Sequence, residues 1–145
     1  MSNTRVFKKY FKPGAIVLLL IWLGIVLSLT VLGREPFDGR HFQPDFLWSY
    51  KYGYKSGTWF VLQMIENVIM YMPFGFLFPF LLKEKLSGWK LFAITLLAGL
   101  TISFSTESIQ YLYRIGLFEF DDLFHNGLGI VIGFLIHLKI DGIEI

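Results

Sequence analysis

The chain has 145 residues, enough for one domain, and 54% of them are hydrophobic. Its mean hydropathy of +0.57 exceeds that of an ordinary soluble domain, and so much apolar surface would overfill a core of this size, so a lipid-facing exterior is expected. A net charge of +2 without a basic stripe argues against nucleic-acid binding, and the absence of cysteine excludes disulfides, thiolate metal sites and cysteine nucleophiles.

The first apolar segment covers 15–32 and carries no charge. Arg5, Lys8, Lys9 and Lys12 precede it, but the apolar run is longer than a signal peptide's core of about 7–15 residues. It is read as an uncleaved first helix. A loop over 33–57 follows, dense in aromatics (Phe37, Phe42, Phe46, Trp48, Tyr50, Tyr52, Tyr54). Tyr and Trp favour a membrane–water boundary, and Pro36, Gly39, Pro44 and Gly53 break any long helix. The loop is read as an interfacial flap on the extracytoplasmic side. As a function it is either a lid or an ordinary anchor.

The second segment, 58–82, is interrupted by Glu66, Asn67 and Pro73. The third, 91–113, contains Glu107. The fourth is a helix over 121–140, apolar from Leu123 onward. Crossing a bilayer takes about 20 residues, and a bilayer core leaves open backbone groups unsatisfied, so all four segments are expected to be helices. The expected fold is an all-α membrane protein: one domain over 1–145, four transmembrane helices in a compact bundle. Eight Lys and Arg on the side of the amino end against five on the other side predict both termini cytoplasmic.

Helical phase organises the polar residues inside these segments. A turn of about 100° per residue aligns Ser103, Glu107, Gln110 and Arg114 on the third helix. It aligns Asp122, Asn126, Gly129 and Gly133 on the fourth, and Gln63, Asn67, Met70 and Phe74 on the second, with Glu66 beside them. Polar stripes are expensive against acyl chains and should face one another. Their depths place all of them in the same half of the bilayer, the outer half in the favoured orientation. A polar intramembrane pocket opening outward is the expectation.

Simpler roles stand beside the functional ones. Glu107 is read as a proton acceptor, metal ligand or general acid/base, or as a structural partner of Arg114, Gln110 or Asn67. Asp121 and Asp122 either bind a cation with Glu119 or cap the fourth helix, where the dipole favours negative charge. Gly129 and Gly133 form a G-x-x-x-G, read as close packing within the chain. Pro73 is expected to free a carbonyl near Ile69, for Asn67 or a neighbouring helix to satisfy. His41, His125 and His137 show no metal-ligand spacing, with His137 expected at the inner interface. No serine-hydrolase, zinc-protease or P-loop motif is present.

Taken together, these residues resemble the VanZ-like family of small bacterial membrane proteins. The resemblance rests on Asn67 with Pro73-Phe74-Gly75, on Glu107 and Gln110, on the acidic turn Glu119-Phe120-Asp121-Asp122, and on Asn126, Gly129 and Gly133. The chain departs from the family pattern in three places. Arg114 and Gly116 are separated by Ile115, the turn begins with Glu119 rather than Asp, and the first loop reads Gln43-Pro44-Asp45-Phe46. The family's prototype is associated with low-level teicoplanin resistance.

The resemblance implies a multi-pass protein of the bacterial cell membrane that lowers susceptibility to lipophilic glycopeptides. Glu66, Asn67, Glu107, Gln110, Asp121, Asp122 and Asn126 are the candidate ligand-binding residues, and Pro73, Gly75, Gly129 and Gly133 the structural ones. Glu107 and Asp122 are the candidates for catalysis in the alternative, a membrane-embedded enzyme acting on a lipid-linked envelope substrate. No metal or cofactor is expected. Expected partners are membrane lipids and a lipid-linked or acylated ligand such as a lipoglycopeptide, with no nucleic acid; an oligomer is compatible with the pattern. Four helices without repeats leave little room for the alternating access of a transporter.

Overall fold

The computed structural model describes residues 3–52 and 57–141, with side chains described over 11–52 and 57–140. The loop residues Gly53, Tyr54 and Lys55 and the side chains of Arg5, Lys8 and Lys9 lie outside that description. Four helices are long and apolar enough to cross a membrane: Phe11–Leu32, Thr58–Leu82, Gly88–Tyr113 and Phe120–Ile140.

The first helix, α1 (Asn3–Leu27), begins well before the expected boundary and runs through Pro13. It ends in one π-helical turn, Ser28–Leu32. There the Thr30 hydroxyl donates to the Val26 carbonyl at 2.7 Å. The expected second helix is two pieces, α3 (Thr58–Leu77) and α4 (Pro79–Leu82). Pro79 has no N–H to continue the ladder, so the chain breaks at Phe78 and restarts with proline in the first turn. Pro73 lies inside α3 without ending it. The nearby carbonyl that receives an outside donor is that of Met70, which accepts from the Trp22 indole N–H of α1 at 2.7 Å. The expected donor Asn67 is instead engaged with Asp122.

Helix α5 (Gly88–Tyr113) stops at Arg114, whose φ of 61° is left-handed, and Ile115 N–H closes onto the Gln110 carbonyl at 2.9 Å. Helix α6 (Phe120–Asp141) follows after a short turn. The aromatic loop holds a short helix, α2 (Trp48–Tyr52). One departure from an all-α fold occurs here: β1 (Phe42–Gln43) pairs in parallel with β2 (Phe118–Glu119), Phe42 opposite Phe118 and Gln43 opposite Glu119. The loop is thereby fastened to the turn before α6. Phe37 N–H to the Arg114 carbonyl at 2.9 Å adds a second tie.

The closest helix pair is α3 and α6, which run in the same direction. A Cβ added at Gly129 would lie 2.2 Å from the Val68 carbonyl oxygen, at Gly133 2.1 Å from that of Met72, and at Gly75 2.1 Å from that of Ile130. Only hydrogen fits at these three positions, so the two backbones meet by van der Waals contact. Gly129 and Gly133 therefore serve contact within the chain. Trp22, Val26, Tyr71, Phe74 and Ile130 pack beside this seam, and Leu91, Phe134 and Leu138 form a second cluster. His137 is buried, with its ring 4.3 Å from that of Phe80. The exterior is apolar along its length, including Leu20 at 64% and Leu97 at 65% exposure. An apolar surface this continuous marks a membrane protein rather than a water-facing one.

Candidate functional site

The end of α1, the first half of α3, the end of α5 and the start of α6 lie at one end of the bundle and enclose a cavity of about 670 Å³. That volume is in the range of small-ligand sites. Helix α1 contributes Trp22, Ile25, Val26, Leu29 and Thr30, with Arg34 just beyond it. Helix α3 contributes Gln63, Glu66, Asn67, Ile69, Met70, Tyr71 and Pro73. The third wall holds Thr106, Glu107, Gln110, Leu117 and Glu119, and α6 adds Asp122 and Asn126.

Four deep polar side chains are each held by a bond to another element. Asn67 Nδ2 donates to Asp122 Oδ1 at 2.7 Å, joining α3 to α6. Glu107 Oε2 accepts from the Glu119 backbone N–H at 3.2 Å, fixing the acidic turn over α5. Gln110 Nε2 donates to the Thr30 carbonyl at 2.9 Å. In the π-helical turn the backbone pairing is shifted, and Gln110 anchors that turn to α5. Asn126 Nδ2 donates to Ser103 Oγ at 2.8 Å, while its buried Oδ1 has no partner. Glu107, Gln110 and Asn126 are each no more than 4% exposed. The polar groups are thus fixed in position by one bond each, and they border empty volume.

Of the residues expected to bind a ligand, Glu66, Asn67, Glu107, Gln110, Asp122 and Asn126 line this cavity; Asp121 does not. Asp121 is fully buried and turned toward the aromatic loop, where it accepts from Leu47 N–H (2.5 Å), Ser49 N–H (2.8 Å) and the Ser49 hydroxyl (2.5 Å). It caps α2, an element distant in sequence, and not its own helix. Adjacent residues on a helix point about 100° apart, so Asp122 enters the cavity while Asp121 leaves it. Nearby, the Tyr50 hydroxyl and His125 Nε2 are 2.9 Å apart, a second clasp between loop and α6. Burial and then the Asp121 charge push the Tyr50 hydroxyl above its ordinary value.

Arg114, expected beside Glu107, is exposed and takes the left-handed position that ends α5; it is not part of the cavity lining. The cation at the cavity is Arg34, which sequence reasoning left in the loop. Its signal was its place as the first charge after the first apolar segment. Glu119 is 5% exposed and also lines the cavity. Burial, then the charges of Asp122 and Asp121, raise its carboxyl to about 7, against the pull of the Trp48 indole and Arg34. Among the described residues no cluster of three His, Asp or Glu is arranged to hold a metal ion.

A model of the VanZ/LLP1 family matches residues 11–140, which includes every element that lines the cavity. No curated protein and no solved structure matched the chain.

Proposed function

The chain belongs to the VanZ/LLP1 family, and from that premise we propose that it is a multi-pass protein of the bacterial cell membrane that lowers susceptibility to lipophilic glycopeptides of the teicoplanin type. In this reading both termini are cytoplasmic, as the distribution of Lys and Arg favours. The cavity then lies in the outer half of the bilayer, beneath the aromatic loop. An acyl-tailed drug or a lipid-linked envelope component meets it there, with the tail in the membrane and the polar part at the cavity.

The observation that carries the reading is the cavity itself. A volume of about 670 Å³ bordered by four acidic residues, four carboxamides and one arginine is costly to maintain in an apolar bundle. Helices joined only for anchorage would close it with apolar side chains. The test is a deletion strain with and without the gene restored, challenged with an acylated glycopeptide and with one that lacks the tail. Restored tolerance confined to the acylated drug is the expected result. Unchanged susceptibility to every acylated glycopeptide overturns it.

One observation favours a second reading, an enzyme acting on a lipid-linked envelope substrate. Glu107 and Asp122 border the same cavity, each with one oxygen held in place by a hydrogen bond. Two positioned carboxyl groups beside a ligand-sized space are the parts of an acid–base pair. Glu107→Gln keeps the shape of the side chain and removes its acidity. A folded Glu107→Gln protein that restores full drug tolerance removes Glu107 from any catalytic role.

A further inference from the structure

The cavity has a side entrance as well as a polar interior. Ile25 (53% exposed) and Leu29 of α1, and Glu66 and Ile69 (59% exposed) of α3, are exposed on the outside of the bundle and also line the cavity. The opening therefore runs between α1 and α3, on the apolar flank, and with Pro73, also exposed there, four of its five exposed residues are apolar. Deeper in, the lining changes to buried groups that accept hydrogen bonds. Asn126 Oδ1 is the most informative of them: it is buried, its amide N–H is already given to Ser103, and no donor reaches the oxygen. An unpaired buried acceptor costs about 1–3 kcal/mol, so a donor arriving from a ligand is well rewarded. The charge balance agrees. Among the described residues, Glu66, Glu107, Glu119 and Asp122 border the cavity against the single cation Arg34.

Building on the reading above, we infer that the occupant is a membrane amphiphile entering sideways between α1 and α3, with a head group that ends in a primary ammonium. Its acyl chain lies along Ile25, Leu29 and Ile69. Its N–H donors reach the Asn126 oxygen and the carboxyl groups, and a phosphate linking head to chain meets Arg34. A quaternary ammonium has the charge without the N–H, and an anionic head has neither.

The chain offers a reporter for this. Trp22 lines the cavity, is 7% exposed, and is one of four tryptophans. A full-length protein carrying Trp48→Phe, Trp59→Phe and Trp89→Phe, reconstituted in vesicles, isolates its fluorescence. The probes are phospholipids with brominated acyl chains that differ only in the head: ethanolamine, choline or glycerol. The ethanolamine lipid is expected to quench Trp22 at about tenfold lower mole fraction than the other two, the equivalent of one charge-assisted hydrogen bond. Glu107→Gln reduces that preference, and so does Glu66→Gln at the exposed rim, where folding is not at stake.

Equal quenching by all three lipids overturns the ammonium head. Displacement of the ethanolamine lipid by millimolar soluble phosphoethanolamine overturns the amphiphile and leaves a head-group site for a free amine. The deletion-strain assay is independent of both outcomes. A head-group preference without a drug phenotype sinks the resistance reading alone, and a drug phenotype without the preference sinks this one alone.

Discussion

Along their seam, α3 and α6 approach until Gly75, Gly129 and Gly133 have no room for a Cβ, and the contact is backbone against backbone. Toward the amino ends of the same helices, Asn67 and Asp122, Asn126 and Ser103, Gln110 and Thr30 join the elements through side chains and leave about 670 Å³ between them. Small residues bring helices together by shape alone, with nothing left over. Polar side chains hold helices at a set distance and orientation, and they keep capacity for a further partner. One bundle therefore has a closed length that supplies stability and an open end that supplies chemistry.

The largest expected effect is at the seam. In Gly133→Ala the new methyl meets the Met72 backbone, which cannot turn aside as a flexible side chain would. The change is expected to cost about 3 kcal/mol or more. It should appear as loss of monodisperse protein and a large fall in Tm. Gly24→Ala is the control: a Cβ there meets nothing within 4 Å, and stability should move by about 0.5 kcal/mol or less. Similar behaviour of the two variants breaks the contrast between closed seam and open end.

The next effect separates the open end from the loop above it. Asp121→Asn keeps one acceptor oxygen and loses the charge that holds Leu47, Ser49 and the start of α2. A cost of about 2 kcal/mol is expected. Limited proteolysis should cut within 33–57 faster, while the brominated-lipid response of Trp22 persists because Asp121 does not line the cavity. Loss of the lipid response with an intact loop would place Asp121 in the binding machinery after all.

The third effect is a pH dependence. Glu119 has an ordinary carboxyl value of 4.5 when unfolded and about 7 when folded. The folded state holds its proton more tightly, so between those values the folded protein binds more protons than the unfolded one. The stability from this group is fully present below about pH 4.5 and lost as pH rises through about 7. Tm should fall across that window, and Glu119→Gln should flatten the slope. A slope that survives in Glu119→Gln assigns it to another group.

Four helices and the residues that crowd one end of them were legible from hydropathy and helical phase. Both are local properties: an apolar run long enough to cross a membrane must be a helix there, and a turn of about 100° per residue says which side chains share a face. Glu107, Gln110, Asp122, Asn126 and Asn67 were found that way, and Gly129 and Gly133 by their spacing. Other features depend on which distant atom lies opposite, and phase within one helix says nothing about that. Asp121 and Asp122 are neighbours of one chemical type, and only the position of α2 decides that one caps it while the other enters the cavity. Arg34 and Arg114 each flank an apolar segment; the left-handed end of α5 turns Arg114 away, and the π-helical turn of α1, anchored by Gln110, brings Arg34 in. The amino-acid sequence alone determined the helices, their polar faces and the family. Tertiary structure alone decided that those faces stop short of closing, because a cavity is the volume that several elements fail to fill and no single element encodes it.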